Sequence, residues 1–111
     1  MIILLSKLKK IEDVLLELDP ENVFHYYAKD RTDKYIVWAE DSEGSSVEGD
    51  DQKINQSIQG TIDYFTKEDG DPMVDKIQEA LTAACISFYL GSVQYEEETD
   101  LIHYEWIWEV S

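Results

Sequence analysis

The chain is short of several things, and each shortage removes a class of function. It has a single cysteine, Cys85, so no internal disulfide and no cysteine zinc site can form, and a reducing compartment is the expected setting. It is short of positive charge: 9 Lys and Arg stand against 25 Asp and Glu, a formal net charge of −16. Phosphate contacts need Lys or Arg to offset each anion, so DNA, RNA and anionic membranes are disfavoured as partners. No apolar run approaches the roughly 20 residues that span a bilayer. The opening MIILLSKLKK is too brief in its apolar part, with its lysines on the wrong side, for a signal peptide. Phosphate-binding Gly-rich loops, His-Glu-x-x-His and paired cysteines are missing. The two histidines, His25 and His103, both fall in mid-strand, where a structural or surface role is commoner than catalysis. The chain is therefore expected not to be an enzyme and to need no cofactor or metal. DSEGSSVE and EDGDP offer oxygen ligands, but neither has the alternating acidic register of a calcium loop.

What is present is patterned. A length of 111 residues argues for one domain over 1–111, and a 43% hydrophobic fraction supplies a core. Leu4, Leu8, Ile11, Leu15 and Leu18 recur at helical spacing, which predicts an amphipathic helix from Ile3 to Leu18, ended by Asp19-Pro20. VFHYYA and KYIVWAE read as strands, and the polar KDRTDK between them suggests a hairpin. Asp41 to Lys53 reads as a loop, with six acids and no base between Glu40 and Asp51. Ile58 to Lys67 is a third strand, in which Gly60 marks a bulge or a close backbone approach. Asp71 is placed to cap a second helix, Pro72 to Ala84, with Met73, Ile77, Leu81 and Ala84 inward. Cys85 follows this helix's alanines and is expected to be a small buried thiol. Two last strands flank the acidic tip EEETD.

The expected fold class is α+β: an antiparallel sheet of about five strands with two helices on one face, in the order α-β-β-β-α-β-β. In LIHYEWIWEVS, Ile102, Tyr104, Trp106, Trp108 and Val110 share one face of the last strand. That face is expected to be core beneath the helices, and Trp38 to be the exposed aromatic. A charge run is by default a solvated surface; a loop of this length also suits an arm that orders on a partner.

KYIVWAED, the acidic loop, IQGTIDYFTKEDGDPMVDKIQEAL and SVQYEEETDLIHYEWIWEV together resemble the small tail terminator or tail completion proteins of long-tailed bacteriophages and prophages, which are related in fold to head–tail joining proteins. The resemblance is best from Lys34 to Val110. It implies a structural virion protein that forms a ring, usually of six subunits, on its own or only on the tail as template. The ring would cap the tube of major tail protein and join it to head–tail connector proteins. It implies residence in the host bacterial cytoplasm during assembly and then in the virion tail, with no catalytic residues to carry over. The resemblance implies that the loop between the second and third strands, Asp41 to Lys53, touches tube or lumen; the candidate tail-tube or subunit contacts are Trp38 and Glu40 at the end of the strand before it and Asp41, Glu43, Glu48, Asp50 and Asp51 within it. An acidic lining would repel DNA passing through such a ring, while −16 per subunit opposes assembly at low salt. The alternative reading is an acidic adaptor or DNA mimic that occupies a basic site on another protein.

Overall fold

The computed structural model describes residues 4–44 and 56–111. Helix α1 spans Leu4–Leu18 and buries Leu8, Ile11 and Leu15, the middle of its predicted stripe. It stops where expected. The carboxylate of Asp19 accepts the backbone N–H groups of Glu21 and Asn22, turning the chain ahead of the first strand.

Strands β1 (Val23–His25), β2 (Lys34–Glu43), β3 (Ile58–Thr66), β4 (Ser87–Glu96) and β5 (Leu101–Val110) form one sheet in the order β1-β2-β3-β5-β4. With α2 (Met73–Ala83) the element order is the expected α-β-β-β-α-β-β, and the fold is α+β. The sheet is mixed, because β1 does not make a hairpin with β2; it lies parallel to it, Val23 beside Ile36 and His25 beside Trp38. The strand stops after three residues. Tyr26 takes φ +74°, and its N–H still donates to the Trp38 carbonyl at 2.8 Å while the chain leaves the sheet. So short a parallel strand needs only an eight-residue return, well under the usual crossover. All other pairings are antiparallel.

The hydrophobic core lies between the two helices and one face of the sheet. Ile36 and Trp38 of β2, Ile58, Ile62 and Tyr64 of β3, and Trp106, Trp108 and Val110 of β5 meet Leu8, Ile11 and Leu15 of α1 and Ile77 and Leu81 of α2. Trp106 and Trp108 are fully buried, as the parity of the last strand predicts. Gly60 proves to be a close approach. A Cβ there would stand 2.1 Å from the Ala39 carbonyl oxygen and 2.5 Å from the Trp108 ring. The bulge lies across the ladder, in β2 between Glu40 and Ser42.

Helix α2 is locked at both ends. Pro72 is already helical, and the Asp71 carboxylate accepts the Met73 N–H at 2.8 Å. At the far end Cys85 N–H donates to the Thr82 carbonyl and Ile86 N–H to the Leu81 carbonyl, each at 3.0 Å, while Ile86 packs into the core with Leu81. This is a Schellman ending, with Cys85 in the left-handed position at φ +59° that glycine normally fills. Cys85 is consequently exposed, contrary to the buried thiol expected from the alanine run before it.

Candidate interaction surfaces

Two of the proposed contact residues enclose a polar-aromatic stack. Trp38 is 2% exposed, not the exposed aromatic expected from its flanks. Ile62 is its partner in the β3 register, and His25 lies flat on it at 3.8 Å. Tyr26 stacks in turn on His25 at 3.9 Å. The sequence reading missed this cover because it placed β1 antiparallel to β2, which gives a different register. Glu40 closes the stack. Its Oε1 is 2.8 Å from His25 Nε2, and its Oε2 accepts the Tyr26 hydroxyl at 2.5 Å. Burial pushes the Glu40 carboxyl up, but the bonds from Tyr26 and His25 outweigh that and hold it below the ordinary range. The same bond raises the Tyr26 phenol, since ionising it would put two anions together.

Asp41 and Glu43 belong to β2 rather than to a loop, and both are exposed. Beyond the bulge, Ser42 and Glu43 pair with Gln59 and Ile58. At the end of this ribbon the Gly44 N–H donates to the Ser57 carbonyl at 2.7 Å, and the Ser57 hydroxyl donates to Glu109 at 2.5 Å. Glu40, Asp41, Glu43 and Glu109 thus gather at one end of the sheet. Glu48, Asp50 and Asp51 lie outside the described residues.

The opposite end carries a buried network unforeseen as such. Tyr64 and Thr66 donate to Asp71 Oδ2 at 2.6 and 2.7 Å, with Lys34 Nζ at 3.4 Å. Burial alone would raise the Asp71 carboxyl; the donors from Tyr64, Met73 and Thr66, with Lys34, pull it below its usual value. Burial, then the hydrogen bond to Asp71, pushes the Tyr64 phenol up. The group is saturated internally and fixes the β3–α2 junction.

On the sheet face away from the helices, Tyr35, Phe65 and His103 stack across three strands at 4.6 and 4.2 Å. His103 Nε2 sits 2.7 Å from Asp63, and Glu96 lies 3.6 Å from its Nδ1. The bond to Asp63 raises the imidazole pKa, against burial. Tyr27 and Arg31 border the shallow cleft over this ladder. Among the described residues no three of His, Cys, Asp and Glu converge as metal ligands, and no helix is long and apolar enough to cross a membrane.

The β4 edge of the sheet differs in character. Among the described residues β4 is bonded on one side only, to β5. Tyr89, Leu90, Val93 and Tyr95 are exposed along it. A register shift between Leu90 and Ser92, at Gly91, resets the alternation. Leu90, Val93 and Tyr95 then stand beside Trp106, Tyr104 and Ile102, on the face the helices cover further in. Without the bulge Leu90 and Val93 would point to opposite sides.

No protein-family profile and no curated protein matches the chain. Among solved structures it is similar to a chain of the virion of a native gene transfer agent (GTA) particle. The two align over 96% of this chain and 91% of that one, with a TM-score of 0.58 and 12% identity. At that identity the likeness is one of fold.

Proposed function

We propose that this protein is a structural component of a phage-like virion, and specifically a tail terminator-like subunit that forms a ring on the tail tube and joins it to the head. The observation that carries the reading is the likeness in fold to a chain of a virion, which covers 96% of this chain. Two physical features support it. Among the described residues the β4 edge, with Tyr89, Leu90, Val93 and Tyr95 exposed, is left open, which suits a subunit built to meet neighbours. The acidic end around Glu40, Asp41, Glu43 and Glu109 would repel the phosphates of DNA passing through a ring. Asp41 and Glu43, exposed there, are the proposed tube or neighbour contacts, with Glu48, Asp50 and Asp51 beyond them. Trp38 is withdrawn, because the core holds it. The reading assigns no catalysis.

A second reading, an acidic adaptor that occupies a basic site on another protein, draws on the distribution of charge: from Ile77 to the C-terminus there are seven acids and no Lys or Arg. The two separate by mass and by salt. Light scattering on a sizing column, at low and high salt, should show a ring that grows as salt screens the subunit charge, and pelleting with assembled tail tubes should retain the protein. A monomer that ignores tail tubes, and binds a basic partner only at low salt, would replace the first reading with the second.

A further inference from the structure

His103 joins three strands through its ring. On the sheet face away from the helices it pairs with Phe65 of β3 on one side and Gln94 of β4 on the other. Its Nε2 is 2.7 Å from Asp63 Oδ1 of β3, and its Nδ1 is 3.6 Å from Glu96 Oε2 of β4. Both acids stand diagonally across from it, two positions from its direct partners, within reach of a side chain this long. Stacking on Phe65 at 4.2 Å fixes the plane of the imidazole and so the direction of both nitrogens. β5 itself adds Glu105, which lies opposite Asp63. Tyr27 and Arg31, from the connection between β1 and β2, border the cleft, and the charge of Arg31 acts on Tyr35 beyond Phe65. Three carboxylates therefore surround one imidazole.

Glu96 is also the anchor of the hairpin tip. Its Oε1 accepts the Thr99 hydroxyl at 3.2 Å, and its carbonyl accepts the Asp100 N–H at 2.9 Å. Asp100 sits at φ +59°, a left-handed conformation that costs free energy in any residue but glycine, least in Asn and Asp. The turn over 97–100 lies beyond Thr66 and Ile102, the last pair between β3 and β5. The chain of contacts Asp63–His103–Glu96 thus connects this turn to the third strand.

We infer that His103 is a proton-operated latch on the β4–β5 turn: the imidazolium ties Asp63 to Glu96 across β5 and holds the turn, and the neutral imidazole lets Glu96 and the turn go. The chemistry follows from the two nitrogens. An imidazolium donates from both, so each carboxylate meets an N–H. A neutral imidazole keeps one N–H, and the shorter contact, to Asp63, retains it. Nδ1 then turns a lone pair toward the Glu96 carboxylate, and an attraction becomes a repulsion. The same loss leaves Asp63, Glu96 and Glu105 without the positive charge they share. The bond to Asp63, against burial and with the charges of Glu96 and Glu105 adding to it, keeps the imidazole protonated to higher pH than an ordinary histidine. The latch is therefore closed below that folded-state value and opens as pH rises through it. This holds for a single copy, whatever it assembles into.

Nuclear magnetic resonance reads both ends of the latch in one sample. The imidazole resonances of His103 give its titration, and amide relaxation gives the order of Glu97, Glu98, Thr99 and Asp100, from about pH 5 to about pH 8. In the wild type the order parameters of the turn should fall from a rigid value of about 0.85 toward about 0.6, with the midpoint at which His103 loses its proton. Glu96→Gln keeps an acceptor for Thr99 and removes the charge that His103 holds or repels. In that variant the imidazole should still titrate, at lower pH, while the order of the turn stays constant. Asp63→Asn should move the titration and the loosening of the turn to lower pH together. Urea melts check that both variants fold. A wild-type turn that keeps its order through the His103 titration overturns the latch. So does a turn that still responds in Glu96→Gln, or one whose midpoint follows His25, the chain's other histidine, instead.

Discussion

Trp106 is fully buried, and its indole N–H donates to Gln78 Oε1 at 3.0 Å, so one side chain ties β5 to α2. Trp106→Ala should destabilise by about 3–5 kcal/mol, through the cavity and the orphaned amide, as large core truncations do. A urea melt reads this; wild-type stability would place that indole outside the core. Gly60→Ala should also destabilise, by roughly 1–3 kcal/mol, because the nearest obstruction to the new methyl is the backbone of Ala39 rather than a pliable side chain. A shift in urea midpoint at unchanged slope is the expected signature. Gly60 was legible as an unusual strand residue, but whether it marked a bulge or a close approach depended on what lay across it. Trp38 was misread for a related reason: its cover, His25, comes from a strand whose direction local pattern does not reveal.

At the scale of elements, the two ends of α2 give opposite expectations. Its start depends on a charged Asp71. The folded-state pKa is lowered, so the stabilisation is complete above the ordinary carboxylate value, about 4, and is lost as pH falls through the lower folded value. Asp71→Asn should reduce stability at neutral pH and flatten the acid limb of a stability-against-pH curve. His103 acts with the other sign. Its pKa is raised by Asp63, so its contribution is full below about pH 6.5 and disappears as pH rises through the folded value. His103→Gln should remove that alkaline decline, measured by urea melts across pH. The helix's other end is suboptimal: Cys85 holds a left-handed conformation. Cys85→Gly should raise stability by roughly 0.5–1 kcal/mol, relief of the side-chain strain being partly offset by greater freedom of the unfolded chain. Asp71 and Pro72 were readable as a helix start because capping is local. The Schellman ending was not, because cysteine is an unusual residue for its turn.

For the whole molecule, charge sets the conditions under which copies meet. With −16 on each chain, association should strengthen as salt rises from low ionic strength and screens the repulsion between copies. Sedimentation at graded salt should show that rise, levelling off once the Debye length falls below the spacing of the facing charges.

The sequence by itself determined the order of elements, the α+β class and the buried face of β5. Each of these follows from periodicity or composition within one stretch of chain. Only the tertiary structure decided that β1 runs parallel to β2, that Trp38 is covered, that Asp71 gathers Tyr64, Thr66 and Lys34, and that the Gly91 bulge turns Leu90, Val93 and Tyr95 to one side. Those outcomes depend on register and on contacts between residues distant in sequence, where hydrogen-bond geometry and close packing select among alternatives that a local pattern leaves equal in energy.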